Sequence, residues 1–182
     1  MNLPNYITLL RIFLVPFFFG FLVYYSDSQP HFRLVALLIF IVAIATDAID
    51  GSIARSFHKQ TELGTFLDPF ADKLLLLSGF LGIMLSTAFA IKPPVWIVII
   101  IVFRDLFIIC GLTIIFLITS RVRIQPNFFG KLTTFFQMCT IVAVLAGWNF
   151  AKVIWLTTAG LTIISAIAYL MRGIKILNSP SS

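Results

Sequence analysis

The chain has 182 residues, 60% of them hydrophobic and only 11% charged, which excludes an ordinary soluble globular domain. A net charge of +6 could suit nucleic acid, but the basic residues sit between hydrophobic segments rather than on a soluble face, so no nucleic-acid partner is expected. Cys110 and Cys139 both fall inside apolar segments, so neither a disulfide framework nor a cysteine metal site is expected, and both read as small core residues.

Residues 1–7 carry no basic leader, and no small-residue cleavage pattern follows the first apolar run, so a cleaved signal peptide is not expected. Pro4 and Asn5 predict a helix start, with Asn5 as its N-cap. Asn5, Thr8 and Arg11 recur every three residues and give the first span one polar edge, for which interfacial anchoring is the plain alternative. Six apolar spans follow from the hydropathy pattern, roughly 8–25, 33–53, 66–90, 95–119, 130–148 and 152–171. They predict an all-α, polytopic integral membrane protein: one domain over 1–177 and a short polar tail over 178–182. The twenty phenylalanines suit lipid-facing bulk, and His31 and His58 read as solvated loop side chains.

Where the second span meets the third, residues 47–72 read DAIDGSIARSFHKQTELGTFLDPFAD. Asp47, Asp50, Asp68 and Asp72 concentrate here in a chain with seven acidic residues in all. Spacings of three and four put each pair on one face of a helix. A polar turn from Arg55 to Leu63 would let an antiparallel hairpin bring the four carboxylates together. Such a cluster repels itself at low dielectric, and oxygen ligands suit Mg²⁺, Mn²⁺ or Ca²⁺ rather than zinc. Two divalent ions would balance four aspartates. Gly51 lets a ligand approach the backbone, Ala54 continues its face, and Arg55 has the fork geometry for phosphate. Metal, arginine and small residues together suit a diphosphate.

Further along, Arg104 and Asp105 stand well inside the fourth span. An arginine there costs about 2.5–3.5 kcal/mol on insertion scales, so it should face a polar cavity or a carboxylate partner. Arg121, Arg123 and Lys131 cluster in the next loop, with Arg172 at the end of the sixth span, and this set could hold an acceptor phosphate or lipid headgroups. Thr134 and Gln137 would extend a polar face of the fifth span. Alternate connections differ in charge: nine basic residues fall on one side and three, Arg33, Lys92 and Lys152, on the other. That asymmetry places both termini and the aspartate hairpin on the cytoplasmic side of the cell (inner) membrane.

The aspartate stretch matches D-x2-D-G-x2-A-R-x8-G-x3-D-x3-D at all eight fixed positions, Asp47, Asp50, Gly51, Ala54, Arg55, Gly64, Asp68 and Asp72. In this it resembles the CDP-alcohol phosphatidyltransferase family. The resemblance implies six helices around a polar cavity open to the cytoplasm, a homodimer, and displacement of CMP from CDP-diacylglycerol by an alcohol hydroxyl. It implies Mg²⁺ or Mn²⁺, as two ions, on Asp47, Asp50, Asp68 and Asp72. Asp72 would also be the catalytic base, while Gly51, Ala54, Arg55 and Gly64 would line the CDP site. The opening LPNYITLLRIFLVPFF resembles phosphatidylglycerolphosphate synthases and related cardiolipin synthases, which makes glycerol 3-phosphate the first acceptor and phosphatidylglycerol the alternative. Asp105 in place of Glu and Thr133 in place of a second lysine lean toward the alternative. A cation transporter is the reading from another class, since intramembrane carboxylates mark ion paths, but it leaves the glycines, Ala54 and Arg55 without a role.

Overall fold

The computed structural model describes the backbone of residues 3–57, 62–119 and 128–178, and the side chains of 8–46, 70–110, 128–169 and Met171. Among the described residues there are six helices and no strand: α1 Leu3–Val23, α2 His31–Phe57, α3 Glu62–Leu85, α4 Val95–Thr119, α5 Phe128–Ala146 and α6 Ala151–Asn178. The fourth expected span coincides with α4.

Elsewhere the boundaries shift, because hydropathy marks the apolar length and not the helix end. α1 already runs at Leu3, so Asn5 lies within it and is not its N-cap. Pro4 needs no N–H partner in a first turn, which lets the helix begin ahead of it. The expected polar turn Arg55–Leu63 is shorter than predicted: α2 continues to Phe57 and α3 starts at Glu62. Ala54, Arg55, Glu62 and Leu63 are good helix formers and extend both helices past the apolar stretch. α3 instead stops early, at Leu85, where Lys92 Nζ donates to the carbonyls of Ser86 (2.7 Å) and Met84 (3.4 Å). The apolar residues beyond still find cover without a helix, since Phe89 packs on Tyr25 with ring centroids 4.7 Å apart. α6 runs on to Asn178, beyond the expected limit. His31 opens α2 rather than sitting in a loop, and His58 lies outside the described residues.

The chain divides into two compact units, one of residues 1–92 with 141–149, the other of 93–140 with 150–182. In the first, α1 and α2 meet through Phe21 on Phe32 and Phe18 on Phe40. α1 and α3 run parallel and nearly in step. Arg11 bonds Asp72, Phe18 faces Gly79, and the Tyr25 carbonyl lies 3.5 Å from Ser86 Oγ, each pair 61 residues apart. Gly82 makes the approach possible: a Cβ there would lie 2.8 Å from Leu22 Cβ, a clash no side-chain rotation relieves.

The last turns of α5 complete this unit, with Ile141 packed on Gly79. α5 ends in a Schellman motif: Trp148 N–H donates to the Ala143 carbonyl (2.9 Å) and Gly147 N–H to that of Val144 (3.1 Å). Gly147 supplies the required left-handed backbone, φ +71°, and Arg33 Nε donates to the Leu145 carbonyl at 2.6 Å. A Cβ at Gly147 would also run into the Arg33 guanidinium. Gly147→Ala should therefore lower stability by about 1–3 kcal/mol, read as a fall in unfolding temperature in detergent.

The second unit is built from α4, the first part of α5, and α6, and its interior is polar. Thr133, Gln137 and Thr140 of α5 and Thr158, Thr162 and Ser165 of α6 are all fully buried. The outside is apolar, with Trp96, Ile99, Phe103 and Phe107 exposed along α4. Cys110 is exposed on that helix and not in the core, while Cys139 is half-buried; both are free thiols. A thiol on a lipid-type face costs nothing, so an apolar neighbourhood in sequence does not fix its side. Among the described residues, Phe128–Ala146 and Ala151–Tyr169 are long and apolar enough to cross a membrane, and Thr8–Val23 and His31–Thr46 are shorter apolar helices.

Candidate active site

Asp47, Asp50, Gly51, Ala54 and Arg55 all lie on the last three turns of α2, and Gly64, Asp68 and Asp72 on the first three of α3. Helical backbone under all eight positions is what their spacing requires. The side chains of these residues other than Asp72 lie outside the described residues, and with them the four-carboxylate cluster and the CDP-site assignments.

Asp72 shows how the α3 end of the site is held. Its carboxylate is half-buried, and Oδ1 accepts a hydrogen bond from Arg11 Nη1 at 2.6 Å. Arg11 is only 2% exposed, as is Thr8 one turn before it. The polar edge of α1 therefore faces the protein interior at these two residues, which interfacial anchoring does not explain; the Asn5 side chain is outside the described residues. Sequence reasoning saw the edge but not its partner. The signal was there: a single buried-type arginine in one apolar helix and a carboxylate at matching depth in another.

The donor set suits a divalent cation. Four aspartates offer only hard oxygen ligands, in a stretch whose one described carboxylate is oriented by a charge-assisted bond. Among the described residues no three metal-ligating side chains converge, since three of the four aspartates fall outside them.

A second polar centre occupies the second unit. Arg104 is 6% exposed. Its Nη1 donates to Asp105 Oδ1 at 2.7 Å, its Nη2 to Ser165 Oγ at 2.6 Å, and its guanidinium lies 5.7 Å from the centre of the Tyr169 ring. Gln137 Nε2 donates to Asp105 Oδ2 at 3.2 Å. Gly130 lies against this group, since a Cβ there would be 3.4 Å from both Arg104 Nη2 and the Tyr169 hydroxyl. Arg104 Nε is buried without a hydrogen-bond partner among the described residues. Of the two sequence expectations for Arg104, the carboxylate partner is observed, in Asp105.

Gln137 lies on the buried polar face as expected, but its companion there is Thr133 rather than Thr134: Thr133 Oγ1 donates to the carbonyls of Phe129 (2.7 Å) and Leu161 (3.2 Å). The hydroxyls of α6 were missed altogether. Thr158, Thr162 and Ser165, at helical spacings of four and three, were the available sign. Of the basic residues assigned to an acceptor, Lys131 is exposed in the first turn of α5. Arg121 and Arg123 lie outside the described residues, and Arg172 sits on the backbone of α6 with its side chain outside them.

Comparison with known proteins places this geometry in context. The sequence profile described as CDP-alcohol phosphatidyltransferase matches residues 1–170. A Mycobacterium tuberculosis protein named probable phosphatidylglycerophosphate synthase is 36% identical over 180 residues, covering 96% of this chain and 82% of that protein. Bacillus subtilis CDP-diacylglycerol–glycerol-3-phosphate 3-phosphatidyltransferase is 39% identical over 153 residues, 79% of this chain and 76% of that one. The Rickettsia bellii protein of the same name is 34% identical over 169 residues, 93% and 88% of the two chains. With nearly the whole chain matched, and the eight motif positions on two consecutive helices, this protein belongs to the CDP-alcohol phosphatidyltransferase family, a family of membrane-associated, divalent-metal-dependent transferases.

Proposed function

We infer that the protein transfers the phosphatidyl group of CDP-diacylglycerol to glycerol 3-phosphate, releasing CMP and forming phosphatidylglycerol phosphate, a step of phospholipid biosynthesis. The observation that carries this reading is the complete eight-residue motif on the consecutive ends of α2 and α3. The acceptor follows the names of the Bacillus and Rickettsia relatives.

In this reading Asp47, Asp50, Asp68 and Asp72 hold two Mg²⁺ or Mn²⁺ ions. When bound, such ions clamp a diphosphate and stabilise the charge that gathers on departing CMP. Gly51, Ala54 and Gly64 leave room for the nucleotide, and Arg55 takes diphosphate oxygens through its fork. The acceptor hydroxyl attacks the phosphorus bearing the diacylglycerol, the bond to CMP breaks, and CMP leaves with the electron pair. Asp72 accepts the hydroxyl proton, with Arg11 fixing its carboxylate. The acceptor phosphate falls to the basic set Arg121, Arg123, Lys131 and Arg172, with Arg104 as its innermost member.

The same reading makes the chain a multi-pass protein of the inner membrane, six spans around a cytoplasm-facing cavity, with both termini cytoplasmic, working as a homodimer. The charge asymmetry supports the orientation. Two of the three basic residues on the sparse side, Arg33 and Lys92, are engaged with the C-terminal carbonyls of α5 and α3, so they have a structural reason to be there.

One observation favours phosphatidylglycerol as acceptor, which would make the product cardiolipin. Thr133 is fully buried against the Leu161 carbonyl, so the position offers a hydroxyl already in use rather than a cation for a phosphate dianion. The test is direct. Purified protein supplied with CDP-diacylglycerol and each acceptor in turn should form phosphatidylglycerol phosphate from glycerol 3-phosphate, identified by mass spectrometry. Cardiolipin from phosphatidylglycerol, with glycerol 3-phosphate ignored, would overturn the acceptor and leave the aspartate chemistry standing.

A further inference from the structure

An arginine buried to 2% exposure in an apolar helix needs a reason, because its desolvation is recovered only by a well-made partner. Arg11 has one in Asp72, at 2.6 Å. The placement is not a flexible reach across a gap. Below it α1 and α3 stay in step, with Phe18 beside Gly79 and Leu22 against Gly82, where the backbones come so close that a single methyl would collide. Two helices locked in parallel at that distance fix the height of Arg11 relative to Asp72. Thr8, equally buried one turn earlier, continues the same interior edge.

We propose that Arg11 is a positioning residue for the reaction: from α1, an element outside the eight-residue motif, it fixes the rotamer of Asp72 and so the direction in which that carboxylate meets its other partners. The inference rests on the four-aspartate reading above and adds a part to it. Arg11 Nη1 holds Oδ1 of Asp72, so the orientation of that carboxylate is set from α1 as well as from α3. Being cationic, Arg11 opposes metal binding at that end electrostatically while helping the geometry. Removing it should thus separate two quantities that a purely structural residue would move together.

The experiment uses full-length protein in detergent, with Mn²⁺ binding measured by electron paramagnetic resonance in the absence of substrate and CMP release measured with saturating acceptor. Arg11→Gln should bind Mn²⁺ at least as tightly as the unmodified protein, since a neighbouring positive charge is gone. Its kcat should fall about 10- to 100-fold, the scale of a misplaced reacting group, with KM for CDP-diacylglycerol within about threefold. Arg11→Lys, which keeps the charge and one donor, should recover part of kcat and return Mn²⁺ affinity toward the original. An unchanged kcat in Arg11→Gln overturns the proposal. Loss of Mn²⁺ binding together with kcat in both variants also overturns it, in favour of a packing role. If the unmodified protein neither binds Mn²⁺ nor releases CMP, the four-aspartate reading fails and this inference goes with it.

Discussion

Asp50→Asn should lower CMP release by about 10²- to 10⁴-fold, because in the function proposed above the divalent cations are held by aspartates. An amide keeps the shape and one oxygen but loses the charge that makes a hard cation prefer the site over water. Asp47→Asn and Asp68→Asn should fall by similar factors, while Glu62→Gln, an acidic neighbour on α3 outside the eight positions, should leave turnover unchanged. Chelator added to the unmodified protein should abolish activity, and Mg²⁺ or Mn²⁺ should restore it. Full turnover in excess chelator would remove the aspartates from the chemistry. Each variant should still insert and purify.

Arg104→Ala should act in the opposite way, on stability first. The substitution strips Asp105 of its cation, deprives Ser165 Oγ of a donor and opens space beside Tyr169, all in the interior of the second unit. Breaking one half of a buried ion pair typically costs about 3–5 kcal/mol, most of it the penalty of the charge left behind. The loss should appear as a lower unfolding temperature in detergent before any kinetic measurement is made. A replacement of the whole group by apolar side chains, Arg104→Met with Asp105→Leu and Gln137→Leu, should recover most of it. An Arg104→Ala protein of unchanged stability, with only KM for glycerol 3-phosphate raised, would show a guanidinium that serves the ligand and not the fold.

The positions of the helices were largely legible because apolar length is written directly in the chain, and α4 shows how well that works when both ends coincide with the membrane-type run. The family was legible for a different reason: its motif is spelled by residue types rare in such a composition. What could not be read was anything that depends on which helices are neighbours. Arg11 and Asp72 are 61 residues apart, and nothing local announces that α1 and α3 run parallel and in step. The same holds for Arg33, whose partner is a backbone carbonyl 112 residues away. Thr133 and Thr134 are adjacent and chemically identical, and only the direction of α6 decides that Thr133 is the buried one.

The buried hydroxyls of the second unit have a bearing on how the chain is made. Thr133, Thr140, Thr158 and Thr162 each donate to a carbonyl one turn back in their own helix, at 2.7 to 2.9 Å. In the membrane reading proposed above, a helix carrying them can leave the translocation machinery alone, with those hydroxyl protons already satisfied, and wait in the bilayer for its neighbours. Arg104 travels almost as freely, because its counterion is the next residue of the same helix. Arg11 differs in this respect: the carboxylate it bonds, Asp72, is on α3, which is synthesised some sixty residues later. In the membrane reading proposed above, the bond that ties Arg11 to α3 forms only after α3 has followed α1 into the bilayer. The contact between α1 and α3 is in this sense one that synthesis leaves until late, made by the first helix with a partner two helices further on.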